Sequence, residues 1–289
     1  MSTTVNDILT DVSSRRAENA VPSGNEQTRR IRFVGQSYRH LLRQNDFWFL
    51  TKTHATSTTD GQEIYDLPTD YKQMLEVRVD RVLRVPQSDN TAFSVTQYPP
   101  ISFPFSINYF NSRFYYIYGD EIHLLPYPSS TPSAISVSSI VVSGTTATVT
   151  CATEHGLSNN DYVQIAGASE SECNGSKRVT VTSTLIFTYE VASGTSSPTG
   201  TITATWNNFT MKYNYIPTVT FTALTDTIDI PDRYKDALSA YVFARLAQLD
   251  GERGDASDGF EEYNEIVAEM NKENFRRANI DTPPSESIW

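Results

Sequence analysis

The sequence predicts an α+β fold. A helical-hairpin or helix-bundle core carries antiparallel β segments and an inserted all-β domain, which is an immunoglobulin-like sandwich or a small barrel. Three patterns support this fold class. The stretch from Ile230 to Phe275 has the spacing of two amphipathic helices joined by an acidic, Gly-containing turn. From Thr51 onward, apolar and polar residues alternate as in strands. From Ser129 to about Trp206 the chain is rich in Thr, Ser, Val and Ile and has few charges.

The N-terminal region predicts a short helix, a polar linker and a longer helix. The short helix covers TTVNDILTDV (3–12), in which Thr4 and Asp7 have the spacing of a capping box. Residues 13–27 contain Pro, Gly, Ser and Asn, which favour a linker over regular structure.

The longer helix carries the most marked basic feature of the sequence. Arg32, Gln36, Arg39 and Arg43 recur at i, i+4, i+7 and i+11, on a different face from the apolar residues. This basic stripe is either a solvated helix face or a contact for an acidic partner surface or for passing DNA.

Residues 51–128 predict antiparallel β segments. The run LEVRV (75–79) alternates, and Gly119-Asp120 predicts a tight hairpin turn between two short strands. Between Gln87 and Asn111 the chain is rich in Pro and aromatic residues, which predicts an ordered but irregular contact loop.

The compositional change after Pro128 predicts the domain boundaries. RVTVTSTLIFTYEV (178–191) is the clearest strand of the Thr- and Ser-rich region. The flanking segments EIHLLPYP and FTMKYNYIP both have strand patterns, so we expect the β domain to be inserted at the tip of a hairpin. We therefore expect residues 1–128 and 207–275 to form a discontinuous α+β core. Residues 129–206 would be the inserted domain, and residues 276–289 would be an extended C-terminal arm.

Composition excludes several classes of protein. With Lys+Arg 23 against Asp+Glu 34, the formal net charge of -11 argues against affinity gained by covering phosphates with a basic surface. Two cysteines are too few for a disulfide framework, and no secretory signal is recognised, so we expect reduced thiols in the cytosol. No apolar run has transmembrane length, so we expect no membrane partner.

Few residue constellations suggest chemistry. Glu154 and His155, near Asp161, could act as acid and base in a hydrolase, but their turn context favours a histidine that satisfies backbone groups. Neither cysteine has a partner at zinc-ligand spacing. The acidic turn DGERGDASDGFEE lacks the ligand order of an EF-hand. We therefore expect no catalytic residue, no metal and no cofactor.

The order of motifs resembles the head-to-tail adaptor (connector) proteins of tailed bacteriophages. A helix ending in DFWFL precedes TDGQEIYDLPTDY, EIHLLPYP, KYNYIP and finally IPDRYKDALSAYVFARLAQLDGE with a second helix. Tyr65, Leu67, Pro68 and Tyr71 resemble the Tyr-x-Leu-Pro-x-Asp-Tyr element of such proteins. The resemblance covers roughly 31–128 and 210–275, and the β domain departs from the minimal pattern.

The resemblance implies a structural protein of the virion neck, assembled in the host cytoplasm and without enzymatic activity. Such adaptors form a ring, commonly dodecameric, beneath the portal protein and carry the tail nozzle or tail tube protein. Genomic dsDNA passes through the lumen without sequence-specific binding. The β domain is a candidate contact for tail fibres, and Arg245, Glu262, Tyr98, Phe103 and Phe105 are candidate contacts between subunits.

The C-terminal segment RRANIDTPPSESIW is expected to be either an arm that docks on the portal or a frayed tail. The candidate portal-binding residues are Arg276, Arg277, Ile280, Pro283, Pro284, Ile288 and Trp289. One alternative from another class is a host-adhesion or carbohydrate-binding tail protein, with Tyr162, Tyr189 and Trp206 as a sugar platform; their alternation more simply suggests core. The second alternative is a tail-associated hydrolase that uses Glu154 and His155.

Overall fold

A computed structural model describes residues 3–86 and 113–280, with side chains described through Arg276. In these ranges the chain is mixed α+β and largely β, with four α-helices. It divides into two compact units, one formed by Met1–Thr51 and Asn214–Trp289 and the other by Lys52–Tyr213.

The helices are α1 (Val5–Arg15), α2 (Asn25–Leu42), α3 (Lys235–Asp250) and α4 (Arg253–Ile280). The strands, numbered in chain order, are β1 (Thr3–Thr4), β2 (Thr51–Thr56), β3 (Ile64–Asp66), β4 (Tyr71–Val79), β5 (Val82–Pro86), β6 (Phe114–Tyr118), β7 (Glu121–Leu125), β8 (Ala134–Ser143), β9 (Thr146–Cys151), β10 (Tyr162–Ala166), β11 (Gly175–Arg178), β12 (Thr180–Val181), β13 (Ile186–Glu190), β14 (Thr203–Trp206), β15 (Phe209–Tyr215) and β16 (Thr227–Ile228).

Helix α1 begins with the predicted capping box. The Thr4 amide donates to the Asp7 carboxylate at 2.8 Å, and the Asp7 amide donates to the Thr4 hydroxyl at 3.2 Å. The Thr4 hydroxyl also donates to this carboxylate, at 2.7 Å, and the hydrogen bonds from the Thr4 amide and hydroxyl hold the pKa of Asp7 below its ordinary value. The helix continues through Arg15, three residues into the expected linker, because Arg15 pairs with Asp11 at 2.9 Å and with Glu262 at 2.6 Å.

Helix α2 presents its apolar face inward. Ile31, Val34, Tyr38 and Leu41 are buried, as the spacing predicts. The helix begins at Asn25, inside the expected linker, directly after Gly24, whose backbone φ is 68°.

All four helices belong to the unit formed by Met1–Thr51 and Asn214–Trp289, which we call the helical unit. Helix α3 lies in its centre and contacts α1, α2 and α4. Small side chains allow close packing: a Cβ added to Gly259 of α4 would lie 2.9 Å from the Cβ of Ala244 of α3. Gly251 ends α3 in the left-handed region, at φ 84°. Helix α4 runs to Ile280, five residues beyond the predicted end, because no proline or glycine follows Phe275 before Pro283.

The second unit contains two seven-stranded sheets among its described residues. The first has the order β2-β15-β4-β5-β6-β7-β3. The predicted hairpin at Gly119-Asp120 is confirmed as β6 and β7. Two expectations were wrong: β5 and β6 pair in parallel, and β7 is separated from β15 by three strands instead of forming a hairpin with it. Both departures depend on pairing between segments that are distant in the sequence. The local alternation of apolar and polar residues does not predict which strands pair.

The other sheet has the order β11-β10-β14-β8-β9-β13-β12, and every strand pair assigned in it is antiparallel. It has its own apolar core, which includes Val149, Ile165 and Phe187. The predicted strand over 178–191 was wrong in one respect: it is broken into β12 and β13 by a turn, in which the Thr182 and Ser183 amides donate to the Ile186 carbonyl.

Arg81 is one of the residues that link the two sheets of this unit. Arg81, in the turn between β4 and β5, donates to Asp161 at 2.6 Å and to the Gly156 carbonyl at 3.0 Å. Its guanidinium also lies 4.4 Å from the centre of the Trp206 ring. Arg81 and its neighbour Asp80 both have positive φ, 66° and 52°, which the turn between the strands requires.

Candidate functional site

The basic stripe of α2 is exposed. Arg32, Arg39 and Arg43 are all exposed to solvent, and Gln36 is half-buried between them. Within the described ranges none of these three guanidinium groups forms an ion pair. The stripe therefore has the exposure that either predicted reading requires, and its partner stays a prediction.

Two neighbouring arginines of α2, unlike those of the basic stripe, form ion pairs within the subunit. Arg30 is buried and donates to both carboxylate oxygens of Glu18, at 2.6 and 2.7 Å, and to Glu26 at 3.0 Å. The pairing of Glu18 with Arg30, together with a hydrogen bond from Arg16 at 3.1 Å, lowers the pKa of Glu18 from 4.5 to about 2. Arg29 pairs with Glu26 at 3.3 Å. Helix α2 thus separates arginines with a structural role from arginines available to a partner.

A groove of about 280 Å³ borders the basic stripe. Arg32 and Arg39 lie along it, and the segment 219–222 forms its other wall. The two walls approach closely at Gly35, where an added Cβ would lie 2.7 Å from the Val219 carbonyl oxygen. The groove places polar backbone beside two unpaired cations.

The last anchoring contacts described on α4 lie at Glu273 and Asn274. The Trp48 amide donates to the Asn274 side chain at 2.8 Å, and Arg233 pairs with Glu273 at 2.5 Å. The next residue, Phe275, is 70% exposed, and Arg276 is also exposed.

Helix α4 continues through residues 276–280, so these are helical and not extended as expected. Arg277 and Ile280 lie on this last turn, but their side chains fall outside the described set. Pro283, Pro284, Ile288 and Trp289 lie outside the described residues altogether. Their predicted role in portal binding stays a prediction.

The candidate subunit contacts fall in different environments. Glu262 is half-buried and paired with Arg15 at 2.6 Å, so its carboxylate is already used within the subunit. Arg245 is half-buried, bonds Gln248 at 2.9 Å and lies 5.7 Å from the Tyr241 ring. Tyr98, Phe103 and Phe105 lie outside the described residues. The role of all five between subunits stays a prediction.

The imagined hydrolase pair does not form a reactive arrangement. His155 is buried, and its Nε2 lies 2.9 Å from the Ser183 carbonyl. Its Nδ1 accepts the Leu157 amide at 3.0 Å. Both ring nitrogens are thus occupied by backbone, whereas Glu154 is exposed. This is the backbone-satisfying role that the turn context favours.

The three aromatic residues of the imagined sugar platform are not equally accessible. Tyr189 is buried and donates to the Cys173 carbonyl at 3.1 Å. Trp206 lies under Arg81, and Tyr162 is half-buried. The buried ring of Tyr189 supports the core interpretation.

Cys151 and Cys173 are both buried free thiols, and burial raises the pKa of Cys151. Among residues 3–86 and 113–280, no group of three or more His, Cys, Asp or Glu side chains is arranged to hold a metal ion. None of the helices in the same ranges combines the length and apolar character needed to cross a membrane.

Sequence reasoning missed a second charged surface. Asp258, Glu261, Glu265 and Glu269 of α4 recur at i, i+3, i+7 and i+11, and all four are exposed. The spacing is readable from the sequence, but only the structure shows that all four side chains lie on an exposed face of α4. We call these four residues the acidic stripe.

The comparison with protein families identifies the chain. The model of the SU10 adaptor protein matches residues 3–171, more than half of the 289 residues. The match includes α1, α2 and strands β1 to β10, and it ends before α3 and α4. No curated protein matches the chain. The extent of the family match shows that the chain belongs to the SU10 adaptor protein family.

Proposed function

We propose that this protein is the head-to-tail adaptor of a tailed phage: a homo-oligomeric, dodecameric ring that joins the portal of the capsid to the tail. The observation that carries the proposal is the family match over residues 3–171, because it supports a phage structural adaptor protein. The ring would lie in the virion neck, and its partners would be the portal protein above and a tail nozzle or tail tube protein below.

The domain organisation is part of the same proposal. The adaptor core would consist of 1–128 and 207–275, with α3 and α4 as its helical hairpin. An immunoglobulin-like domain would be inserted over 129–206, where it could contact tail fibres. In support, β8 to β14 form a sheet that is separate from the sheet containing β7 and β15.

Charge is compatible with DNA passage. The chain carries a formal net charge of -11, and a ring of identical acidic subunits would surround the lumen with negative potential. Repulsion from phosphates would leave the genome free to move, whereas a basic lumen would hold it by releasing counterions. The lumen would therefore contact dsDNA without sequence-specific binding.

The exposed end of α4 supports a portal-binding arm. The last anchoring contacts described on this helix are at Glu273 and Asn274, and an apolar side chain, Phe275, is 70% exposed immediately afterwards. Large exposed apolar side chains next to cations are common in protein interfaces. We propose that the segment from Arg276 to Trp289 binds the portal.

Deletion of residues 279–289 tests this role. The truncated protein should keep the helical circular dichroism of the full chain and should no longer co-sediment with portal rings. A milder variant, Ile288→Ala with Trp289→Ala, should weaken co-sedimentation without changing the fold. Undiminished binding by both variants would refute the arm. Separately, a reconstruction of the virion neck that places this chain outside a ring below the portal would refute the adaptor role.

A further inference from the structure

Two helices of the same unit carry charged stripes of opposite sign. The basic stripe of α2 extends from Arg32 to Arg43, and the acidic stripe of α4 extends from Asp258 to Glu269. In both stripes the last member lies eleven positions after the first, which is about 16 Å along a helix. The stripes therefore match in length as well as in sign.

Both stripes face away from the core of the helical unit. On α4, the buried residues are Ala256, Tyr263, Val267 and Met270, so their helical spacing places the acidic stripe on the opposite side. On α2, the buried residues Ile31, Val34, Tyr38 and Leu41 likewise leave the arginines facing outward. Both stripes are accessible to another molecule.

Within one copy the two stripes do not neutralise each other. None of the seven charged side chains in the stripes forms an ion pair in the described part of the chain. Other helical arginines are engaged: Arg15 with Glu262, Arg16 with Asp250, and Arg30 with Glu18. The seven charges of the two stripes are thus available to pair with another molecule.

We propose that the basic stripe of α2 in one copy docks against the acidic stripe of α4 in the next copy. This inference rests on the proposed ring, and it names the two faces that the ring brings together. Because the two faces differ, the contact is heterologous, and repetition of a heterologous contact generates a closed ring when its rotation closes. Charge complementarity identifies the occupant as a second copy of this chain.

The stripes mainly set the orientation in which two copies meet and the rate at which they associate. Individual exposed ion pairs contribute little affinity, but complementary potentials steer two surfaces together and oppose wrong pairings by like-charge repulsion. The neighbouring apolar contacts must supply the rest of the binding energy. Assembly should therefore weaken as salt is raised, since screening shortens the range of exposed charges.

A charge-swap experiment tests the contact. The first variant combines Arg32→Glu, Arg39→Glu and Arg43→Glu, so both of its stripes are acidic. The second combines Glu261→Lys, Glu265→Lys and Glu269→Lys, so its α4 stripe becomes basic while α2 stays basic. Without the other variant, neither should form rings, either in free solution or on portal rings. Sedimentation and electron microscopy measure this assembly. Mixed in equal amounts, the two should assemble again, because each altered face then meets an opposite charge.

A control variant separates this effect from net charge. Glu154→Lys, Glu172→Lys and Glu190→Lys reverse three exposed carboxylates, none of them in an ion pair. This variant should form rings alone and should not rescue the first variant. Assembly of either stripe variant by itself, or failure of the mixture to assemble while wild type does, would overturn the stripe contact alone. Absence of wild-type rings under every condition would overturn the proposed ring as well.

The test also covers the alternative occupant of the basic stripe. If the arginines contact passing DNA, the variant with three arginines reversed should assemble like wild type, which would overturn the proposal. Circular dichroism should confirm that each variant keeps its helices, since every substituted residue is exposed.

Discussion

The ion pair between Glu18 and Arg30 gives the sharpest prediction about stability. Arg30 is 3% exposed and donates two hydrogen bonds to Glu18, at 2.6 and 2.7 Å. Glu18→Gln removes the charge and keeps the shape, so the buried guanidinium retains only the Glu26 carboxylate as an ionic partner. We expect this variant to unfold more easily at neutral pH.

The magnitude follows from the pKa of Glu18, which falls from 4.5 to about 2 on folding. At about 1.4 kcal/mol per pKa unit, this difference sets an upper limit of roughly 3 kcal/mol. The Glu18 side chain is 26% exposed, so solvent screening reduces the effect, and we expect a loss of about 1–2 kcal/mol. Because the folded pKa is depressed, the stabilisation is fully present above pH 4.5 and disappears as the pH falls towards 2.

Urea unfolding followed by helical circular dichroism is the appropriate assay, because all four described α-helices belong to one compact unit. Wild type should be more stable than Glu18→Gln at pH 7, and the difference should shrink between pH 4.5 and 2. The control Glu154→Gln, at an exposed position outside any ion pair, should change stability by less than about 0.5 kcal/mol. A difference that is absent at pH 7, or that persists unchanged in acid, would refute the reasoning.

Three further predictions concern packing. Gly35→Ala should lower the free energy of unfolding by about 1–3 kcal/mol in the same assay, because its Cβ would lie 2.7 Å from the Val219 carbonyl oxygen; unchanged stability would contradict this contact. Arg81→Ala should shift tryptophan fluorescence towards that of a more exposed ring, since it uncovers Trp206, and Arg81→Lys should not restore the stacked geometry. Both cysteine thiols should react with a thiol reagent only when urea unfolds the chain, because both are buried.

Local patterns predicted several elements correctly. The capping box of Thr4 and Asp7, the buried face of α2 and the hairpin at Gly119 each depend on residues within a few positions of one another. In these cases the interacting groups are neighbours along the chain. Short-range spacing is then enough to predict the structure.

Long-range pairing caused the errors. The extension of α1 to Arg15 is supported by Glu262, and the parallel pairing of β5 with β6 joins strands separated by a long segment. Neither partner can be chosen from local periodicity, because many segments with suitable patterns compete for the same position. The turn that divides β12 from β13 was missed because its Thr and Ser residues continue the alternation.

The candidate interfaces also combine features that residue spacing predicts with features that depend on distant contacts. The spacing of Arg32, Arg39 and Arg43 was sufficient to predict a basic face on a helix, and the motif order was sufficient to indicate an adaptor. Spacing alone was insufficient to tell Arg30, which is buried and paired, from these exposed arginines, or Glu262 from the unpaired acidic stripe. Those distinctions required the tertiary structure, because an ion pair depends on which distant side chain lies within reach and how far water is excluded from both.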